Sequence, residues 1–201
     1  MCKNKYKVTP SLFSAYYWYR KLESSSKEDF LKVLKREPIE QTPLMLKGID
    51  FENEIEKQTH SKIKSGNEVV DIIADIVRGG EWQKPITADI CGWSLVGRMD
   101  VFCPDQKKVY DIKYAKAYDL GKYKYSIQHL VYLYCCKQSG YNIQNFDYLV
   151  YSESDKWYYT ESYNWDEKYV TQLLIQRLED MTRFIFADPD LANAYRDNWV
   201  V

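Results

Sequence analysis

Apolar and polar positions change period several times along the chain, and each change marks an element. Leu12, Phe13, Tyr16 and Tyr17 follow Thr9-Pro10-Ser11 at helical spacing, which predicts a short helix over 9–23. The loop Ser24-Ser25-Ser26-Lys27 separates it from a second short helix through Phe30, Leu31, Val33 and Leu34. Thr42-Pro43 joins an N-cap to a proline in the first turn, so a longer helix should run to about His60, with Phe51 and Ile55 on its apolar stripe. His60 then lies near the negative end of the helix dipole. Val69 to Val77 keeps the helical period and stops at Gly79-Gly80, and Trp82 to Pro85 reads as a loop. From Ile86 the pattern becomes strand-like: 86–92, 93–103 and 108–114 make a meander, with Pro104-Asp105-Gln106-Lys107 as the second turn. Ser126 opens a helix that Gly140 closes, with Ile127, Leu130 and Tyr134 as its core stripe. Two strands around Ser154-Asp155 follow, and Trp165-Asp166 opens a long helix ended by Pro189. The tail through Trp199 takes no assignment.

This order predicts one α/β (α+β) domain over 1–201: a central mixed sheet of about five strands flanked by helices. A helical segment occupies about 1–40 and a helix about 165–187. The length of 201 residues suits a single domain with a real core.

Composition narrows the class. Hydrophobic residues at 45% and charged residues at 28% are ordinary for a globular protein. Nineteen tyrosines and six tryptophans are not, and such rings can fill a core or stack on bases. A net charge of −1 excludes a uniformly basic nucleic-acid binder, though local lysines can still meet phosphate. Five cysteines without framework spacing argue against a secreted disulfide scaffold. No apolar run is long enough to span a bilayer and no signal-peptide run opens the chain, so a cytoplasmic location without membrane contact is the expectation.

The stretch from Gly97 to Lys113 carries the chemistry. Alternation along its second strand puts Val109, Asp111 and Lys113 on one face, with Tyr110 and Ile112 on the other. A turn at 104–107 pairs Cys103 with Lys108, and counting back sets Asp100 opposite Asp111. Carboxylates facing each other across an antiparallel pair repel, and a divalent cation would offset that. Mg²⁺ or Mn²⁺ takes one or two carboxylates together with water and phosphate. Lys113, one strand repeat on, aims a cation at the same place. Asp followed by Asp-x-Lys on a hairpin is an arrangement that suits phosphodiester cleavage. Basic and aromatic residues interleave just beyond it at Lys116, Tyr118, Lys122, Tyr123, Lys124 and Tyr125, as either a nucleic-acid groove or a surface loop. Arg20, Lys21, Lys27, Lys32, Lys35 and Arg36 make the N-terminal region basic, and a solvated helix face accounts for them better than a DNA contact.

Four segments in order resemble the PD-(D/E)XK nuclease superfamily, in its RecB-like and lambda-exonuclease-like branch. Gly48-Ile49-Asp50-Phe51-Glu52 resembles the first-helix motif, Gly97-Arg98-Met99-Asp100 the segment with the first metal-binding Asp, and Tyr110-Asp111-Ile112-Lys113 the acidic-x-Lys segment. Gln128-His129-Leu130-Val131-Tyr132 resembles the Gln-x-x-x-Tyr motif of the RecB-like branch. The opening Ser11 to Lys21 is similar to nucleases of CRISPR adaptation, but Tyr19 stands where some of those have an iron–sulfur cysteine, so no cluster is expected.

The resemblance implies a restriction-endonuclease-like core and a metal-dependent DNA nuclease, an exonuclease by branch. Asp100 and Asp111 would hold Mg²⁺ or Mn²⁺ with help from Glu52, or from Glu56 one turn on, and from the Ile112 carbonyl. Lys113 would orient water or stabilise charge, and Gln128 and Tyr132 would position Lys113, the water or the phosphate. Arg98, Lys116, Lys122, Tyr123 and Lys124 are the candidate DNA contacts. A recombination or CRISPR-related partner and an oligomer are compatible with the branch. The rivals are an inactive relative that only binds, and a cysteine hydrolase using Cys135 or Cys136.

Overall fold

Helices in this chain begin where a side chain can satisfy the first free backbone amides. A computed structural model describes residues 5–20 and 25–200; Cys2, Lys21 and the end of the predicted 9–23 helix lie outside them. In chain order the elements are β1 (Tyr6–Val8), α1 (Pro10–Arg20), α2 (Lys27–Leu34), α3 (Pro43–Thr59), α4 (Glu68–Ile76), β2 (Glu81–Ile90) and β3 (Trp93–Cys103). Then come β4 (Lys108–Ala115), α5 (Gln128–Gln138), β5 (Asn145–Ser152), β6 (Trp157–Asn164), α6 (Glu167–Phe186) and α7 (Pro189–Trp199). Ser26 and Asp29 form a reciprocal capping box on α2, Thr42 accepts from the Met45 amide on α3, and Asp166 caps α6.

The sheet is mixed and has six strands, more than the pattern predicts. The extra one, β1, is too short for its alternation to show, yet it pairs in parallel with Trp93–Leu95 of β3, so the N-terminal segment is not purely helical. Trp82 to Pro85 is strand rather than loop, because β2 pairs with β3 back to Glu81↔Phe102. The tail is a helix: Pro189 does end α6, but it also starts α7 under an Asp188 cap, since a first-turn proline loses no hydrogen bond.

β4 and β5 run parallel, with α5 as the connection between them. That crossover covers one face with α5, while α3 and α4 cover the other, so the apolar interior is divided in two. The larger core packs α1, α2, α5, α6 and α7 on one face, through residues such as Leu130, Phe146, Tyr148 and Leu174. The smaller one packs Phe51 and Ile55 of α3 and Val70 and Ile73 of α4 on the other, over Val101, Tyr110 and Ile112. Val109 and Tyr110 fall on opposite sides, as alternation predicts.

Alternation fails at one place. Trp93, Leu95 and Met99 of β3 face the larger core, but beyond Asp100 that core takes Phe102, and Val101 and Cys103 turn to the smaller one. Gln83 stands across from Asp100, between the pairs Trp82↔Val101 and Lys84↔Met99, and has φ of +50°. A left-handed residue inside a strand rotates the chain out of phase. Asp100 therefore sits at the crossover between the two faces.

Candidate active site

The β3–β4 ladder starts as the turn predicts, with Cys103↔Lys108, but stops at Val101↔Tyr110. Asp100 and Asp111 are consequently not an ordinary cross-strand pair. The Asp100 carboxylate replaces the next ladder bond, its Oδ2 accepting from the Ile112 amide at 3.1 Å. The same edge of β3 pairs with β1 lower down, so residues 96–100 lie in a notch between β1 and β4. Tyr132 of α5 fills part of this notch. Its hydroxyl donates to the Arg98 carbonyl at 2.7 Å, and its ring occupies the space a Cβ at Gly97 would need.

Asp111 is fully buried. Gln128 donates to its Oδ1. The Lys113 ammonium lies 2.5 Å from its Oδ2 and forms a charge pair with it. Burial raises the Asp111 pKa well above the usual carboxylate range; Lys113 opposes the shift and Asp100 adds to it. For Lys113, whose side chain is 31% exposed, burial acts against the charge, but Asp111 and Asp100 outweigh it and keep the ammonium protonated. Burial and the same two acids raise the Tyr132 pKa, so that phenol stays neutral.

Glu52 reaches this group from the other face of the sheet. Its Oε1 accepts from Gln83 at 2.6 Å, and burial, then Asp100, push its pKa up to about 7. Of the two candidates on α3, Glu52 faces Asp100, whereas Glu56 acts on Glu52 only as a further, weaker charge. Ile112 donates its amide to Asp100 and buries its side chain in the smaller core. Gln83 had no signal in the sequence, because its importance comes from a backbone angle.

A cleft of about 1010 Å³ opens beside the group, with Lys113, Gln128 and Tyr132 in its lining. Arg98, Lys122 and Tyr123 line it too, whereas Lys116 and Lys124 do not. The Lys116 carbonyl accepts from the Ser154 amide and the Lys124 carbonyl from Arg177, while the Lys124 ammonium lies over the Tyr125 ring. That loop is packed by its tyrosines: Tyr123 stacks on Tyr148 at 4.5 Å, and Tyr118 donates to the buried Glu161. The cleft also takes Tyr17 and Trp18 of α1, Ile39, and Met45 of α3, which the sequence reading passed over. The signal was there in Leu44-Met45-Leu46, three apolar neighbours that no helical stripe can bury together.

Of the described N-terminal basic residues, Arg20, Lys32, Lys35 and Arg36 are exposed and Lys27 is half-buried, as a solvated helix face requires. Lys27 pairs with Asp188 and Asp190, and Arg20 and Arg36 lie over Phe184 and Trp199. The cysteine alternative fails on burial, which pushes the Cys135 and Cys136 thiols up to about 12 and leaves no thiolate at neutral pH. His129 is also buried, stacked on Tyr163 at 3.8 Å.

Asp100, Asp111 and Glu52 supply oxygen, the donor type that a hard divalent cation takes, and Asp111 is fully buried with its pKa raised by burial and by Asp100. Among the described residues no group of three acidic, histidine or cysteine side chains is placed to hold a metal ion. Mg²⁺ can be held by one or two carboxylates, since it keeps several waters and bridges to phosphate.

No family model matches the chain, and no curated protein sequence does. Solved structures do. A protein named "putative exonuclease" from Eubacterium rectale superposes with a TM-score of 0.59 at 15% identity, covering 92% of this chain and 81% of its own. The alkaline exonuclease LHK-Exo of Laribacter hongkongensis gives 0.53 at 14% identity, over 95% of this chain and 92% of its own. The chain has the fold of these exonucleases. Its mixed sheet flanked by helices is consistent with the restriction-endonuclease-like core that the resemblance implies. A third structure, the protein SSO0001, gives 0.52 at 12% identity over 89% of this chain and 78% of its own. Among the described residues no helix is long and apolar enough to cross a membrane.

Proposed function

We propose that this protein is a metal-dependent DNA nuclease, an exonuclease by likeness of fold, serving recombination, repair or phage- and defence-related DNA processing. The observation that carries the reading is the fully buried Asp111 carboxylate, with Lys113 and Gln128 on it and Asp100 beside it. A buried acid whose pKa is raised by burial and by a second acid, beside a cleft, is a candidate functional position.

Asp100 and Asp111 would hold Mg²⁺ or Mn²⁺, with Glu52 reaching in from α3 and the Ile112 carbonyl as a further ligand. Bound there, the ion would polarise a phosphate oxygen and lower the pKa of water. In hydrolysis a water oxygen bonds to phosphorus as the bond to the leaving sugar oxygen breaks, and negative charge grows on the phosphate oxygens. The two acids facing Lys113 favour its charged form, and its ammonium would orient the water or stabilise that charge. Gln128 holds Asp111 in orientation. Tyr132 acts through the backbone, fixing Arg98 and hence the approach to Asp100.

That no group of three potential metal ligands is found among the described residues favours one other reading, a protein that binds DNA without cutting it. Purified protein incubated with linear, circular and single-stranded DNA, in Mn²⁺ and in EDTA, separates the two. Cleavage of linear DNA in Mn²⁺ alone, lost in Lys113→Ala and Asp111→Asn, supports the nuclease. Binding without cleavage, or full activity in Lys113→Ala, rejects it.

A further inference from the structure

Three hydrogen-bond donors converge on Glu161, an acid of β6 that is 8% exposed and does not line the cleft. Its Oε2 accepts from the Tyr118 hydroxyl at 2.5 Å and from the Tyr123 amide at 3.4 Å. Its Oε1 accepts from the Tyr163 hydroxyl. A buried carboxylate is costly unless it is hydrogen-bonded, and here two phenols and a backbone amide offset that cost.

Two of the three donors belong to the segment 116–125 between β4 and α5, 43 and 38 positions from Glu161. Other groups hold the ends of that segment. The Ser154 amide donates to the Lys116 carbonyl at 2.9 Å, and Arg177 of α6 donates to the carbonyls of Lys124, Tyr125 and Ser126. In the middle, Tyr118 packs on Tyr159 at 5.2 Å and Tyr123 on Tyr148 at 4.5 Å. Hydrogen bonds to a carboxylate are roughly twice as strong as neutral ones, so Glu161 is a strong directional tie there.

What that middle carries faces the cleft. Lys122, Tyr123 and Tyr125 are in its lining, and Tyr123 and Lys113 are near enough to act on each other's charge. We infer that Glu161 is a positioning residue for DNA binding, acting through the Tyr118 hydroxyl and the Tyr123 amide to hold Lys122 and Tyr123 in the cleft wall. A wall set before the ligand arrives lowers the cost of ordering it on binding. This rests on the nuclease reading and goes beyond it, because Glu161 lies outside both the acid cluster and the cleft.

Glu161→Leu removes the acceptor altogether. Glu161→Gln keeps one oxygen and sets an amide against phenols, which accept as well as donate. In Mn²⁺, Glu161→Leu should raise KM for linear DNA about tenfold with kcat changing much less, and Glu161→Gln should recover most of the loss. Tyr118→Phe should raise KM less, and should add almost nothing in the Glu161→Leu background. In EDTA, DNA affinity read by fluorescence anisotropy should fall by the same factors. Trypsin, well below the melting temperature and without DNA, should cut after Lys122 and Lys124 faster in Glu161→Leu than in wild type.

Unmoved KM in both Glu161→Leu and Tyr118→Phe, with the wild type cutting DNA, overturns the positioning role and leaves the nuclease reading standing. Lower kcat at constant KM overturns it too, as does faster tryptic cutting without any change in DNA affinity. Affinity in EDTA that falls in the variants while the wild type never cuts DNA does the reverse, upholding the positioning role against the nuclease reading. A wild type that neither binds nor cuts DNA overturns both. Should Glu161→Leu fail to fold, Tyr118→Phe decides alone, and wild-type KM in that variant overturns the inference.

Discussion

Gly97 and Tyr132 occupy adjoining space, so that a side chain at one would have to displace the ring of the other. The ring is 3% exposed and its hydroxyl holds the Arg98 carbonyl, so the fit fixes the β3 backbone two residues before Asp100. Gly97→Ala should cost about 1–3 kcal/mol by overpacking and reduce cleavage without touching a metal ligand. Tyr132→Phe keeps the ring and loses one hydrogen bond, for about 1 kcal/mol. Urea denaturation and single-turnover cleavage measure both; a Gly97→Ala protein as stable and active as wild type would show that the ring has room to move.

Asp100 acts on both Asp111 and Glu52, and raises the proton affinity of each. Asp100→Asn keeps an oxygen to accept from the Ile112 amide while removing that charge. Without metal it should melt about 2–4 °C higher, a gain on the order of 1 kcal/mol, and cleavage should be lost. The wild type should gain stability with added Mg²⁺ and the variant should gain much less. Thermal melts with Mg²⁺ and with EDTA decide this, and equal Mg²⁺ shifts in the two proteins would remove Asp100 from the ligand set.

His129 gives the fold a specific pH dependence. Burial, and secondarily Arg177, lower its pKa from 6.5 to about 3. The native imidazole stays neutral where the unfolded one binds a proton, so its stabilising contribution is complete above about pH 6.5 and lost progressively down to about pH 3. Between pH 6.5 and 5 the loss is on the order of 2 kcal/mol. Glu52, raised to about 7, works in the opposite sense: stability it contributes below its unfolded value of 4.5 disappears as pH rises through 7. The informative quantity is therefore the difference between wild type and His129→Phe. That difference should change with pH between 6.5 and 5, and a flat one would place the imidazole in contact with solvent.

Arg177 has its guanidinium on three successive backbone carbonyls, 124 to 126, at the entrance to α5. Arg177→Lys cannot reproduce that fork and should lose about 1–2 kcal/mol. Because Gln128 and Tyr125 both depend on this segment, KM for DNA should rise. Arg177→Lys with wild-type stability and KM would mean that α5 is fixed by its buried face alone.

Much of the fold was legible locally. Thr42-Pro43, Ser26 and Asp166 mark helix starts because a cap is a contact between residues three apart. The turn at 104–107 sets Cys103 against Lys108, and alternation then places Val109 and Tyr110 on opposite faces. Alternation misled where it was carried too far, because the ladder ends before Asp100. β1 and α7 were missed for related reasons: three residues show no period, and a proline that stops one helix can start the next.

The sequence by itself determined the helices α1 to α6, the hairpin and the side of the strand shared by Asp111 and Lys113, since these follow from contacts a few residues long. Tertiary structure decided the rest. It turned Asp100 between the two faces, brought Glu52 to Gln83 across 31 positions and Tyr132 to Arg98 across 34, and walled the cleft with α1. Such meetings depend on how the helices pack on each face of the sheet, and no local spacing along the chain encodes that packing.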